Sequence, residues 1–254
     1  MTVSTLTLII LLIIGASLAS LFLCIINDPS KVFSLKGRSQ CDHCKKILGI
    51  FNLIPIISYL YQKGQCSYCG KNLNINYLIS EIFMALCLPL IWWISSHQSV
   101  EIQIILSLII ICICYIILLD WQKMLISMPV VVLLLILSVV LWGIEDNFSK
   151  SILLLKFLGL FFGFFSLWTI NKIYTFIRKR EGIGEGDPIL FGALGFFLNI
   201  EFLFFILTIS ALCGAIYGII LIKYKKGSLS DPIPFGSFLG LGAITIFCIK
   251  TLYL

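Results

Sequence analysis

Eight apolar runs, seven of them long enough to cross a lipid bilayer, restrict this chain more than any other feature it has. A membrane-spanning helix needs about 20 apolar residues. Such runs stand near 5–26, 78–96, 102–119, 129–144, 152–177, 202–222 and 234–254, with a shorter one at 188–200. Composition agrees: 60% of the residues are hydrophobic and 12% charged, and the mean hydropathy of +1.09 lies far outside the soluble globular range. The expected fold is an all-α multi-pass membrane protein with about eight transmembrane helices, one domain over 1–254. The stretch from Met1 to Thr7 lacks a basic n-region, so the first run reads as a retained span rather than a cleaved signal.

Whether 188–200 stands apart from the run after it depends on Asn199-Ile200-Glu201, a tight turn or a flaw in one long helix. The bias of Lys and Arg toward cytoplasmic loops arbitrates. With eight spans and the first running inward, inside loops hold Lys31, Lys36, Arg38, Lys45, Lys46, Lys63, Lys71, Lys123, Lys172, Arg178, Lys179, Arg180, Lys223, Lys225 and Lys226. Lys150, Lys156 and Lys250 fall outside; merging the two runs would move Lys223, Lys225 and Lys226 outside as well. Eight spans are therefore expected, both termini extracytoplasmic. Because the basic residues are sorted by loop rather than gathered on one surface, the net charge of +6 reports topology in the cell membrane and does not point to nucleic acid.

Asp120 ends the third run and Asp187 opens the sixth, with two crossings between them, so parity places both at the cytoplasmic boundary. An ionisable group at a span's edge is a functional candidate. A carboxylate at a helix C-terminus also meets the negative end of the dipole, where a structural choice would favour Lys or Arg. Asp187 closes Gly182-Ile183-Gly184-Glu185-Gly186-Asp187, whose glycines, Gly184 and Gly186 nearest it, let the backbone turn closely. Followed by Pro188, it also reads as a helix cap. Two adjacent carboxylates would share one proton, the arrangement of an aspartic protease, needing no nucleophilic Ser or Cys and no catalytic metal. The only histidines, His43 and His97, are poorly placed for His-dependent or H-E-x-x-H chemistry. Glu81, near the start of the second span, is a further candidate for contact with substrate or active site; Glu185 reads as solvated.

Cys41-Asp42-His43-Cys44 and Cys66-Ser67-Tyr68-Cys69 form two C-x2-C pairs in the one long soluble loop, 27–77. The spacing suits a four-thiolate zinc site, and nearby lysines favour thiolate. Two disulfides are the alternative, disfavoured in a reducing cytoplasm. Four cysteines complete a tetrahedron without His43 and leave no position for water, so such a zinc is structural. Cys24, Cys87, Cys112, Cys114, Cys213 and Cys248 fall in apolar runs and read as small core or lipid-facing residues.

Taken together, these motifs resemble the type IV prepilin peptidases, including the competence-related members that process pseudopilins. The likeness covers nearly the whole chain. The cysteine pairs, with Leu53-Ile54-Pro55-Ile56-Ile57-Ser58-Tyr59-Leu60 and Lys63-Gly64 between them, look like the family's cytoplasmic zinc loop. Tyr77-Leu78-Ile79-Ser80-Glu81 is similar to the run into its second span, and Ile233-Pro234-Phe235-Gly236 to the start of its last. Asp120-Trp121-Gln122-Lys123-Met124-Leu125-Ile126 and Gly184-Glu185-Gly186-Asp187 match its two aspartate motifs. Gly15-Ala16-Ser17 and Asp28-Pro29 echo its first-span pattern, while Ile189 stands where it usually has lysine. The resemblance implies an aspartic endopeptidase, a hydrolase of type IV pilus, competence or protein-secretion systems. It would cut a cytoplasmic leader from a prepilin or pseudopilin, and it implies S-adenosylmethionine as methyl donor for the new N-terminus. The rival class is a zinc-loop scaffold or an ion or proton transporter, which would neither cleave a leader nor need both acids. No transporter-like internal repeat is visible in the spans.

Overall fold

The computed structural model describes residues 4–27, 40, 41, 43–146, 148–179, 182–225 and 232–253. Asp28-Pro29, Lys31, Lys36, Arg38, Asp42, Arg180 and Lys226 lie outside the described residues. The chain divides into two compact units, Met1–Ser96 and His97–Leu254.

In the first unit, α1 (Thr5–Asn27) is followed by a 3-10 turn at Ile50–Leu53, the short α2 (Ile57–Tyr61) and α3 (Ile75–Ile94). Buried residues of α1 are Gly15, Ala16, Ala19, Leu23 and Ile26, a helical stripe. Small residues lead it because the helices come close: a Cβ on Gly15 would run into the Met84 carbonyl of α3. Ile9, Ile13 and Leu21 stay exposed on the rest of α1. In water that would be a liability, whereas against lipid it costs nothing.

The second unit holds α4 (Val100–Lys123), α5 (Met128–Asp146), α6 (Lys150–Arg178), α7 (Gly186–Leu198), α8 (Ile200–Lys225) and α9 (Phe235–Tyr253). Across both units, seven helices are long and apolar enough to cross a membrane, and the protein is an all-α multi-pass membrane protein. The eighth, α7, has 13 residues, a length of about 20 Å against a hydrocarbon core of about 30 Å. It is sheathed in protein, with Leu190 to Leu198 buried without interruption. Glycines make the sheath tight, since a Cβ on Gly163 would lie 2.7 Å from the Phe191 oxygen and one on Gly192 2.9 Å from the Leu160 oxygen. The polar break is real: Asn199 takes φ 75 and ψ 162 between α7 and α8, a strained conformation otherwise almost confined to glycine.

Lys156, assigned to the outside charges by sequence, is only 5% exposed. Helix α6 already starts at Lys150, so Lys156 lies nearly two turns into it and its side chain reaches α7. Its Nζ lies 3.5 Å from the Phe196 oxygen and 5.7 Å from the Phe196 ring centre. The last carbonyls of a helix lack intrahelical donors and favour a cation there.

Candidate active site and metal cluster

Asp120 sits in the last turn of α4 and Asp187 in the first turn of α7, both buried. The two meet around the first turn of α9. A Cβ on Gly236 would lie 3.0 Å from Asp187 Oδ1 and 3.3 Å from Asp120 Cγ, so the carboxyl groups are no farther apart than those two distances together. The acids expected to be neighbours are neighbours.

Among the described residues, each carboxyl group has one oxygen held and one without a hydrogen bond. The Ser237 N–H donates to Asp120 Oδ2 at 2.6 Å and the Ser237 hydroxyl to the same oxygen at 2.8 Å. The Gly184 N–H donates to Asp187 Oδ2 at 3.0 Å. Neither Oδ1 takes a hydrogen bond among the described residues. That leaves both open oxygens for a water or a substrate.

The glycines near Asp187 give close approach rather than left-handed turns. Among them no positive φ occurs. They make room: a Cβ on Gly186 would lie 2.8 Å from Ile126 Cβ, and one on Gly184 3.2 Å from Asp187 Oδ2. Nor is Asp187 the N-cap, because the helix starts earlier, with Glu185 as the cap residue and Gly186 as its first position. Pro188 is then third, still in the turn whose N–H groups have no helical partner. Glu185 is exposed, as expected. From α6, Asn171 Oδ1 accepts the N–H groups of Gly182 and Ile183 at 3.2 and 3.1 Å and tethers the loop.

Ser237, Gly236, Ile126 and Asn171 carry this geometry, and sequence reading assigned none of them a role. Gly236 lay in a recognised motif. Ser237 carried no signal of its own, because its contact with Asp120 spans 117 positions of chain. Trp121, Tyr217 and Phe238 bring α4, α8 and α9 together beside Asp120 and Ser237, with ring centres 5.1 to 6.2 Å apart.

In the first unit, Cys41, Cys44, Cys66 and Cys69 gather with all four Sγ atoms within 4.8 Å of one another. Cys41 Sγ and Cys69 Sγ are 3.9 Å apart, far beyond a disulfide bond of about 2.05 Å. A tetrahedral ion with metal–sulfur bonds of about 2.3 Å separates its ligands by about 3.8 Å, so the cluster fits a metal ion. The two pairs are built alike. Cys41 N–H donates to Lys46 O at 3.0 Å and Lys45 N–H to Cys41 O at 2.9 Å; Cys66 N–H to Lys71 O and Gly70 N–H to Cys66 O repeat this at 2.9 Å each. Isolated bridges Gln40 to Ile47 and Gln65 to Asn72 close the two turns. The Cys44 amide, outweighing burial and joined by the His43 amide, brings the Cys41 thiol down to about 7. The Lys71 amide favours a thiolate at Cys69, but desolvation and the three neighbouring sulfurs push that thiol up to about 11. A shared cation removes that competition.

Glu81 belongs to the first unit. It is buried on α3, and its Oε2 accepts the Ile56 N–H at 2.7 Å. Ile56 has φ 64 and ψ −56, and the Ile57 N–H donates to Pro55 O at 2.6 Å. This is the strained form of the γ-turn, rare for any β-branched residue. The carboxylate anchors that turn. It also lines a cavity of about 140 Å³ with Ser20, Asn27, Tyr59 and Tyr77, bordered by Cys41 and Cys66.

The sequence is similar to that of known proteins. Residues 13–95 match the family described as the Bacterial Peptidase A24 N-terminal domain, and residues 104–219 match the Type IV leader peptidase family. A prepilin leader peptidase/N-methyltransferase of Dichelobacter nodosus is 30% identical over 86% of this chain and 74% of its own length. A protein of the same description from Pseudomonas putida is 28% identical over 80% and 69%. An Escherichia coli type 4 prepilin-like proteins leader peptide-processing enzyme is 29% identical over 88% and 80%. No solved structure matches the chain significantly. With both regions matched and relatives aligned over most of its length, the chain belongs to the type IV leader peptidase family.

Proposed function

We propose that Asp120 and Asp187 are the catalytic dyad of a membrane-embedded aspartic endopeptidase that removes the leader from type IV prepilins or pseudopilins. The carrying observation is the pair of buried carboxyl groups meeting at Gly236, each with one oxygen held and Oδ1 open. In this reading a water lies between the open oxygens. The ionised acid takes its proton as the water oxygen attacks the scissile carbonyl, while the protonated acid hydrogen-bonds to the carbonyl oxygen. The tetrahedral intermediate then collapses, the C–N bond breaks, and the leaving amine takes a proton from the dyad. The two acids titrate as one unit.

The prepilin substrate follows from the names of the relatives, and the resemblance implies a bond between a basic leader and an apolar helix, which suits acids at the cytoplasmic face of the cell membrane. Residues 1–254 act in this reading as one peptidase, with 27–77 as an inserted zinc knuckle. Zinc held by Cys41, Cys44, Cys66 and Cys69 would be structural, its four positions filled by sulfur. Gly184 and Gly186 keep the Asp187 loop close, and Glu81 supports the γ-turn. N-methylation comes with the relatives' names, and S-adenosylmethionine would supply the methyl group. The first-unit cavity suits its positive sulfonium, since Glu81 lines it and, among the described residues, no Lys, Arg or His does.

The test is cleavage of a prepilin by membranes carrying the protein. Asp120→Asn and Asp187→Asn should each slow cleavage by ~10²–10⁴-fold, the range of acid–base catalysis. Wild-type cleavage by either variant would refute the dyad.

A further inference from the structure

We infer that the first turn of α9 is a third arm of the active site, in which Ser237 positions Asp120 for the reaction and Gly236 keeps open the space where it occurs. This rests on the dyad reading above. Asp120 stands at the C-terminal end of α4, facing unpaired carbonyls and the negative end of that helix, a poor place for a carboxylate. The start of α9 offers the opposite. Ser237 is the third residue of α9, so its N–H is one of the four without a helical acceptor, and at 2.6 Å it donates to Asp120 Oδ2. Its side chain acts a second time on the same atom, with the hydroxyl 2.8 Å from Oδ2 and 3.1 Å from the Ile117 oxygen. Ser237 is fully buried.

Two donors on one oxygen do more than hold a carboxylate. They fix its rotation about the Cβ–Cγ bond, and so fix where the other oxygen points. Because Gly236, the preceding residue, has no side chain, the space beside Asp120 Cγ and Asp187 Oδ1 stays clear. One dipeptide therefore orients one acid and leaves room for the reacting water. A backbone N–H alone would leave the carboxylate a single pivot; the hydroxyl supplies the second point.

The full chain, purified in detergent and assayed with a full-length prepilin, tests this. Ser237→Ala keeps the N–H and loses the hydroxyl, so kcat should fall about 10- to 100-fold, the worth of one hydrogen bond to a charged group, with KM unchanged. Ser237→Cys restores the volume but with a poor donor, and should lose kcat to a similar extent. Wild-type kcat in Ser237→Ala, or recovery in Ser237→Cys, would overturn the inference by showing that the residue is dispensable or merely fills space. A rise in KM at constant kcat would also overturn it. Asp120→Asn measured in parallel separates the two claims: inactive Asp120→Asn beside fully active Ser237→Ala removes only the role of Ser237, whereas active Asp120→Asn removes the dyad.

Discussion

The four thiols come from two turns with the same backbone bonds, Cys41 N–H to Lys46 O and Cys66 N–H to Lys71 O. The two acids come from the far ends of α4 and α7, and the residue that holds Asp120 lies 117 positions away on α9. A site made of local turns needs only its own few residues and an ion. A site made of helix ends depends on every helix that sets those ends. The first should therefore fail by losing its ion, and the second by small displacements of otherwise sound helices.

The largest effect expected on that contrast is at the cluster. A structural four-thiolate site owes most of its order to the metal, with binding free energies on the order of 10 kcal/mol in small zinc modules. Cys41→Ser should take the purified protein from one metal ion per chain to essentially none, and open 40–73 to limited proteolysis. Amide exchange along α4 and α9 should stay as in the wild type. Exchange rising equally in those helices would show that the two sites are not independent in the way their construction suggests.

Next in size is Gly236→Ala, which keeps every hydrogen bond and adds one methyl. That methyl would stand 3.0 Å from Asp187 Oδ1, 3.0 Å from Ile126 Cδ1 and 3.3 Å from Asp120 Cγ. Something must shift by a few tenths of an ångström. Misplacing reacting groups by about 1 Å can cost ~10²-fold, so a shift of a few tenths should lower leader cleavage by up to about tenfold. Stability should fall by only about 1–3 kcal/mol, and metal content should not change. Wild-type cleavage by Gly236→Ala would count against the proposed place of the reacting water beside Gly236.

The same contrast decides what could be read in advance. The cysteine spacing, the positions of the helices and the break at Asn199 are local properties of chain, visible as pattern. The acids were legible too, since a charge at the end of an apolar run stands out and parity places it on a face. What parity cannot do is say which third helix meets them, so Ser237 passed unnoticed in a sequence with many serines. Lys156 was legible only as an extracytoplasmic charge within a span; that it reaches the end of α7 and the Phe196 ring depends on a helix its own run does not contain. The glycines before Asp187 marked a close turn of the chain, but that Gly186 also makes room for Ile126 depends on a neighbour that local sequence does not contain.

The smallest effect separates the two turns of the cluster, alike in their bonds but different at several residues, one of which bears on the backbone. The position after the second cysteine of each pair is left-handed, at φ 56 for Lys45 and φ 67 for Gly70. A side chain there costs roughly 1–2 kcal/mol, and glycine escapes the cost. A Cβ on Gly70 would touch nothing within 4 Å, so Gly70→Ala isolates the backbone cost from any clash. It should weaken metal binding about five- to thirtyfold in competition with a chelator, given tenfold per 1.4 kcal/mol. Lys45→Gly should strengthen binding by less than that, because glycine also loosens the unfolded turn by roughly 0.4–1 kcal/mol. If Gly70→Ala left the affinity unchanged while Lys45→Gly lowered it, the Lys45 side chain, not the shape of its backbone, would be what the first turn depends on. Lys46, over the Tyr68 ring at 4.2 Å, already ties that turn to the second.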